Sequence, residues 1–204
     1  MRRLLVVAAV LFSLPRAAAA VPVEWTDGAG VAHEYEMFNL WNGLNGQSWD
    51  FSRAYIWDTL GSDWDLATIT SPEEQAFVAV AVVGNLMEEY WIGGYQDPGA
   101  TAPDEGWMWV TGEPWEYTNW LQNETQHEPN DSGGDEHFLG LANWDGTHQW
   151  NDEHLVNNVY GFIAERTIPA TAVPEPATGF LLLLGLGATA AVRCRRIRSA
   201  APRA

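Results

Sequence analysis

The chain has 204 residues, enough for one domain of ordinary size, and its formal net charge at pH 7 is −17. All 27 acidic residues lie between Glu24 and Glu175, a stretch that holds no lysine and only the arginines Arg53 and Arg166. A surface this acidic repels nucleic acid and anionic lipid, which excludes both as partners of the folded domain, and it favours divalent cations. Solubility in a salty medium accounts for most of these acids.

The N-terminal segment has the order of a secretory signal peptide. A basic start, MRR, precedes an apolar run over residues 4–14 and small residues up to Ala20. We therefore predict a signal peptide over residues 1–20 and a folded domain over residues 21–168. The alternative, a buried first helix, lacks a polar face and a cap.

The first predicted elements of the domain are strands and two helices. Residues 23–40 are mixed and extended, which favours one or two strands. Apolar positions spaced by three and four predict a helix over residues 49–60, closed by Gly61. Ser71 is typical of a helix N-cap, and Glu74 completes a capping box that begins a second helix.

Beyond the second helix the pattern changes to short strands and long loops. The sequence YWIGG at residues 90–94 is typical of a buried strand. Further short strands are predicted at residues 107–111, 138–142, 149–150 and 159–165. Two helices followed by strands and loops predict an α+β domain, because an alternating order is needed for a parallel sheet.

Cysteine and tryptophan indicate how such a domain is stabilised. The only cysteine, Cys194, lies outside the predicted domain, so no disulfide can form within it. All 12 tryptophans lie between Trp25 and Trp150. Stability must therefore come from apolar burial and from any metal that binds.

The C-terminal segment combines a Pro-Glu-Pro motif, an apolar stretch and an arginine cluster. A linker over residues 169–176 precedes the apolar stretch 177–192 and the basic tail 193–204. This layout resembles the PEP-CTERM sorting signal of Gram-negative bacteria. The resemblance implies processing by an exosortase-type enzyme and a final place at the outer surface or in the extracellular matrix. Before processing, the apolar stretch would lie in the membrane and the tail in the cytoplasm. An ordinary C-terminal anchor helix is the alternative.

Several motifs of the domain resemble those of one family. WIGG at residues 91–94 resembles the tryptophan-led core strand of C-type lectin-like domains, and FIAE at 162–165 resembles their final strand. EPND at 128–131 and WND at 150–152 are similar to their two calcium motifs. The resemblance extends over residues 35–166 and implies two helices, two small antiparallel sheets and a long calcium-binding loop region.

The resemblance also implies a calcium site. Its ligands would be five side chains: Glu128, Asn130, Glu136, Asn151 and Asp152. Calcium binds six to eight hard oxygens, which carboxylates and amides provide. In the family the Glu-Pro bond is cis, so the same is expected here for Glu128–Pro129.

A sugar site is implied at the same ion, with the side chains Glu128, Asn130, Glu136 and Asn151, and Trp144 as a stacking face. Carboxylates accept hydrogen bonds and amides donate them, so two neighbouring hydroxyls that ligate the ion can bond both kinds of group. The Glu-Pro-Asn order implies mannose-, glucose- or fucose-type sugars. Trp144 is equally well explained as a core residue.

The resemblance implies an auxiliary calcium site as well, formed with Glu136 by a second group of acids: Asp97, Asp104, Glu105 and Asp131. In this chain His137 replaces the acid that usually follows the shared glutamate. The loop also carries insertions.

The two disulfides that are usual in the family are missing. The corresponding positions are Trp57 with Ala164, and Phe138 with Leu155. Burial of a large apolar side chain is worth roughly 1.5–3 kcal/mol, close to the about 2–4 kcal/mol of a disulfide. We therefore expect each pair to be in contact.

Two other functions compete with sugar binding. The first is a calcium-stabilised module that binds proteins or scaffolds a matrix. The second is an enzyme, for which a zinc hydrolase site could be imagined from four histidines: His127, His137, His148 and His154. No His-Glu-x-x-His motif or nucleophile elbow is present, so we predict that the protein is not an enzyme.

Overall fold

The computed structural model describes residues 21–39, 47–156 and 159–169. The predicted signal peptide 1–20 and the C-terminal stretches from residue 170 onward lie outside the described residues. The strands are β1 Val23–Thr26, β2 Ala32–Asn39, β3 Asp65–Leu66, β4 Glu89–Gln96, β5 Trp107–Trp109, β6 Glu136–Ala142, β7 Gln149–His154 and β8 Gly161–Ile168. The helices are α1 Trp49–Thr59 and α2 Pro72–Phe77, and α2 continues as a π-helical segment, Val78–Val83.

Both helices begin at the residues that the sequence predicts. The Ser48 hydroxyl accepts the Phe51 N–H at the start of α1, and the Ser71 hydroxyl accepts the Glu74 N–H at the start of α2, each at 3.1 Å. These caps satisfy backbone donors that have no partner within the helix. The π-helical segment ends at Gly84, whose φ of 62° is readily adopted by glycine.

The strands form one mixed sheet in the order β1-β2-β8-β4-β6-β7, with β3 paired to β8 and β5 paired to β4. Most pairs are antiparallel, but β4 and β8 run parallel, with Tyr90 opposite Gly161 and Trp91 opposite Phe162. The α+β class is confirmed. The two antiparallel parts that the family resemblance implies are joined by this parallel pair into a continuous sheet.

The core lies on both faces of β4. Tyr90 and Ile92 belong to one apolar cluster with Trp150, while Trp91 belongs to a second cluster with Phe162. Alternate residues of a strand point to opposite faces, so this division follows from the pleat. Four aromatic rings of β5 and the loop after it contact Trp150 edge-on or tilted: Trp109, Trp115, Tyr117 and Trp120.

The side of α1 that faces the core differs from the expectation. Ile56 is fully buried and shares a cluster with Ala164, whereas Trp57 is 44% exposed. The Arg53 guanidinium lies over the Trp57 ring, 4.6 Å from its centroid. The prediction that Trp57 packs on Ala164 is therefore wrong, because the preceding residue, Ile56, fills that part of the core.

The second pair that is expected to replace a disulfide, Phe138 and Leu155, contacts a third residue, Trp49. The Phe138 ring packs against Trp49, with 5.2 Å between ring centroids. Leu155 is exposed, and its carbonyl accepts the Trp49 N–H at 3.1 Å. A direct contact between Phe138 and Leu155 stays a prediction.

Within the described ranges, no helix is both long and apolar enough to cross a membrane. The apolar stretch 177–192, for which we predict a membrane segment, is outside those ranges.

Candidate functional site

The loop between β5 and β6 is attached to the sheet before it reaches the predicted calcium motif. The Leu121 N–H donates to the Trp150 carbonyl at 2.7 Å, and the Glu128 N–H donates to the Leu121 carbonyl at 2.9 Å. The Glu128–Pro129 peptide bond is cis, as the family resemblance implies. The Glu-Pro-Asn motif therefore lies beside the Trp-Asn-Asp motif of β7.

Asp152 links the two motifs directly. Its carboxylate accepts the Asn130 N–H at 3.0 and 3.1 Å and the Asp131 N–H at 2.7 Å. Asp152 is 1% exposed, and its neighbour Glu128 is 4% exposed. The side-chain amide of Asn130 donates to the Glu128 carboxylate. Glu128, Asn130 and Asp152 thus form one hydrogen-bonded group.

Glu136 joins this group from the start of β6. Its carboxylate accepts the Ser132 N–H at 2.6 Å, and its own N–H donates to Asp131 Oδ1 at 3.1 Å. Gly133 and Gly134, with φ values of 87° and 85°, provide the left-handed backbone of the turn between them. The structure therefore brings Glu136 close to Glu128 and Asp152.

The electrostatics of the group favour a cation. Burial raises the pKa of Glu128 to about 7, with a further contribution from the Asp152 carboxylate. Burial also raises the pKa of Glu136 to about 7, partly opposed by the hydrogen bond from Ser132. His154 lies 3.5 Å from Glu136 and 2.6 Å from Asp135. The acids are held together at a cost that a bound cation would offset.

Asn151 has different partners from the other predicted ligands. Its amide donates to Glu153 at 2.7 Å and to Glu89 at 3.4 Å. Glu89 and Glu153 are both 4% exposed. Burial, and next the Glu153 carboxylate, raise the pKa of Glu89 well above its usual range. This adjoining acid pair is part of the same charged region, because Glu128 adds to the raised pKa of Glu89.

Sequence reasoning missed Glu89 and Glu153. Glu89 begins a strand, where an acid is normally solvated. The signal that could have found it is Gly140, which lies inside β6, where a Cβ would overlap the Glu89 carboxylate. A glycine inside a strand often marks a close approach of another group.

Two of the acids predicted for the auxiliary site lie together, and the meeting of the whole set stays a prediction. Asp97 and Glu105 line an open cleft of about 340 Å³, whose lining does not include Asp104 or Asp131. The Asp97 carboxylate accepts the Gly99 N–H at 2.7 Å. The Asp131 carboxylate accepts the Glu136 N–H at 3.1 Å. Asp131 is thus hydrogen-bonded to Asp152 and to Glu136, the acid that the two predicted sites share.

Trp144 lies apart from the main group. It is 40% exposed, in the loop that joins β6 to β7, whereas Glu136 begins β6 at the other end of the hairpin. From Glu136 to Ala142 the strand extends roughly 20 Å at about 3.3 Å per residue. The expectation that Trp144 is a core residue is wrong, and its role as a stacking face for a sugar stays a prediction.

The four histidines of the zinc alternative have separate partners. His127 contacts Gln122, His137 contacts Gln96, and His148 contacts the Gly84 carbonyl. Only His154 reaches the acidic group. Their arrangement gives no support to the zinc hydrolase alternative.

Among the residues that the structure describes, one group of metal-capable side chains has its ligand atoms within 4.8 Å of one another, and it is not the predicted calcium set. That group is His33, Glu74 and Glu165. Calcium tolerates wider spacing, since oxygens on opposite sides of an ion at 2.3–2.6 Å are up to about 5.2 Å apart.

Comparisons with known proteins match two segments of the chain. Residues 61–165, just over half of the chain, match the lectin C-type domain, and residues 172–196 match the PEP-CTERM protein-sorting motif, which implies export to the cell envelope. The human protein C-type mannose receptor 2 is 30% identical over 125 residues, as is its mouse counterpart. The match covers 55% of this chain and 7% of the receptor, so the chain corresponds to a small part of those relatives.

Solved structures share the fold. The cow carbohydrate-recognition domain of CD23, solved in the presence of a GlcNAc2Man3 oligosaccharide, has a TM-score of 0.52 at 24% identity and covers 68% of this chain and 90% of its own. The C-type lectin CEL-I from Cucumaria echinata has a TM-score of 0.53 at 20% identity, with 67% and 90% covered. A calcium-independent type II antifreeze protein has a TM-score of 0.51 at 22% identity, with 74% and 98% covered. Because just over half of its sequence matches the domain and its fold is the same, the chain belongs to the C-type lectin domain family.

Proposed function

We propose that this protein is an exported lectin that binds sugars through a calcium ion. The ion would be held by the predicted side chains: Glu128, Asn130, Glu136, Asn151 and Asp152. The observation that carries the proposal is the convergence of three buried carboxylates, from Glu128, Glu136 and Asp152, at the loop next to β7. Calcium is the cation whose ligands are hard oxygens in a tolerant geometry.

The charge balance around these residues supports a divalent ion. Buried carboxylates are normally paired with a cation or bound to a metal. Arg53 pairs with Asp65, and Arg166 pairs with Glu34 and Asp63, so neither described arginine neutralises the group. Calcium would provide the missing positive charge.

The sugar step follows from which groups can donate and which can accept. Bound calcium would coordinate two neighbouring hydroxyls of a sugar. Ionised Glu128 and Glu136 accept hydrogen bonds from those hydroxyls, and the amides of Asn130 and Asn151 can donate to them. The Glu-Pro-Asn order favours mannose-, glucose- or fucose-type sugars. The similarity to C-type mannose receptor 2 agrees with this choice.

The place of action follows from the two ends of the chain. We infer a signal peptide over residues 1–20 and processing of the tail by an exosortase-type enzyme. The segment 177–192 would hold the chain in the membrane until then. The lectin domain would then act on carbohydrate or exopolysaccharide at the outer surface of a Gram-negative bacterium, as a binding protein and not an enzyme.

One observation favours the second candidate, a calcium-stabilised module that binds protein or scaffolds a matrix. The Asn151 amide is already engaged by Glu153 and Glu89, so it is less free to donate to a sugar. An ion could then order the loop without a carbohydrate ligand.

A glycan array with and without a calcium chelator tests the proposal. The whole protein should bind mannose-, glucose- or fucose-type glycans only when calcium is present. The double variant Glu128→Gln with Asn130→Asp should retain calcium-dependent binding but change which sugars are preferred, because it exchanges an acceptor and a donor.

The matched control is Glu124→Gln with Asn123→Asp, which makes the same chemical changes on the same loop, away from the acidic group. It should leave the glycan profile unchanged. Calcium-dependent stabilisation without any glycan bound would support the scaffold module instead, and binding that survives chelation would contradict the calcium mechanism.

A further inference from the structure

A second group of buried ionisable side chains lies in another part of the sheet. His33 on β2, Glu74 on α2 and Glu165 on β8 are 7%, 2% and 6% exposed, and their ligand atoms lie within 4.8 Å of one another. Strands β4 and β6 separate β8 from β7, so the group is about 14 Å from β7 at about 4.8 Å per strand. It is therefore separate from the candidate calcium site.

The register of β2 on β8 explains how two of these side chains meet. Tyr35 is directly opposite Glu165, and His33, two residues earlier, points to the same face of the sheet. His33 Nδ1 lies 2.7 Å from Glu165 Oε1. Tyr35 also donates its hydroxyl to Glu74 at 2.5 Å, which links the strand pair to α2.

Backbone N–H groups hold one oxygen of each carboxylate in place. The Thr68 N–H donates to Glu165 Oε2 at 2.8 Å, and the Thr70 N–H donates to Glu74 Oε2 at 2.8 Å. In a capping box the glutamate side chain would reach back to the Ser71 N–H, but here it binds Thr70. One oxygen of each carboxylate is thus held by the backbone, and the other faces His33 or Tyr35.

When both carboxylates are ionised, the charges of this group do not balance without an additional cation. A protonated His33 would neutralise one of the two carboxylates, which leaves one negative charge buried. Arg53 and Arg166, the two arginines in the part of the chain that the structure describes, are not available, because each pairs with other acids. A divalent ion with a neutral imidazole and two carboxylates gives a net charge of zero, and buried charges that are not paired normally coordinate a metal.

The ligand types select the metal. Calcium and magnesium take oxygen ligands, whereas imidazole nitrogen suits zinc and its transition-metal neighbours. Zinc binds imidazole at about 2.0–2.1 Å and carboxylate at about 2.0–2.2 Å, usually with four ligands. We propose that His33, Glu74 and Glu165 bind a zinc-type divalent ion, with a water as the fourth ligand. The ion would connect the N-terminal hairpin, α2 and the last strand in a domain that has no disulfide.

Zinc titration of the full-length chain tests this proposal. The parent and all variants carry Cys194→Ser, so that the thiol of the C-terminal tail cannot bind metal. Bound metal is first removed with a chelator. The chain is then kept in detergent with excess calcium. We expect one zinc per chain, retained against calcium, and X-ray absorption of the bound zinc that shows one imidazole among oxygen ligands. This spectroscopic measurement is made on the parent chain alone, so it does not depend on whether a variant folds.

His33→Gln should weaken zinc binding on the order of 100-fold or more, because it removes the only nitrogen ligand. His127→Gln, which changes an exposed histidine, should bind as tightly as the parent. Calcium-dependent stabilisation of His33→Gln would show that this variant folds. Four results would each overturn the proposal: no zinc binding, zinc that calcium displaces, bound zinc without an imidazole ligand, or equal zinc affinity in His33→Gln. None of these results would decide the lectin function.

Discussion

Asp152 on β7 accepts the backbone N–H of Asn130 through both carboxylate oxygens, at 3.0 and 3.1 Å. This contact joins the Glu-Pro-Asn motif of the loop to the Trp-Asn-Asp motif of the strand before any ion binds. Preorganisation of this kind lowers the ordering cost of binding. The same contact keeps Asp152 beside the buried Glu128, and this proximity creates the charge problem that calcium would solve.

The stability of the calcium-free protein should fall as the pH rises from about 4.5 to about 7. Glu128 and Glu136 have pKa values raised to about 7 in the folded state, so in this window the folded chain binds more protons than the unfolded chain. The free energy of unfolding then decreases with increasing pH. Burial also raises the pKa of Glu165 to about 7, so this residue lowers the stability in the same direction.

Thermal melts of the chelator-treated chain between pH 4.5 and 7.5 check this expectation. Saturating calcium should remove the part of the decline that comes from Glu128 and Glu136, because the bound ion favours their ionised carboxylates. A melting temperature of the calcium-free chain that rises with pH over this window would show that the acids are not held together as described.

Gly140→Ala should destabilise the protein by about 1–3 kcal/mol, the usual cost of forcing extra volume into a packed site. The added Cβ would overlap the Glu89 carboxylate, which is buried and cannot move into solvent. Chemical denaturation measures the effect. Gly28→Ala is the control, since a Cβ there meets no atom within 4 Å.

The double variant Gly140→Ala with Glu89→Ala isolates the contact. Its loss of stability should be clearly smaller than the sum of the losses in the two single variants. Glu89→Ala removes the carboxylate that the added Cβ at residue 140 would overlap. Additive effects would show that Glu89 does not lie over Gly140.

Ile56→Ala should cost about 2–5 kcal/mol, as expected for a fully buried aliphatic side chain. Trp57→Ala should cost no more than about 1 kcal/mol, because Trp57 is exposed and an exposed cation–π interaction such as the one with Arg53 is weak. Urea denaturation of both variants compares the two faces of α1. A larger loss for Trp57→Ala would restore the expectation that this ring replaces a disulfide.

The elements that could be predicted from the sequence are those with strong local signals. Ser71 caps α2 as predicted, α1 begins at the predicted Trp49, and the Glu128–Pro129 bond is cis as the motif implies. Side-chain direction within α1 could not be predicted with the same precision. Trp57 and Ile56 are neighbours in the chain, and only the tertiary packing decides which of them is buried.

The least predictable parts of the site depend on contacts between distant segments. Glu89 looks like a solvated strand end, and its burial depends on space at Gly140 and on Glu153 across the hairpin. His33 carries no motif, and it meets Glu165 only through the register of β2 on β8. Periodicity within a segment reveals neither relationship, because both come from strand pairing.

Calcium titration by calorimetry of the chelator-treated full-length chain tests the central claim most directly. We predict that one calcium binds to the parent and to Glu124→Gln, and that binding is lost in Glu136→Gln. At free calcium 100-fold above the Kd, the parent should gain about 2.7 kcal/mol of stability. No calcium binding to the parent, or equal binding to the parent and Glu136→Gln, would contradict the account.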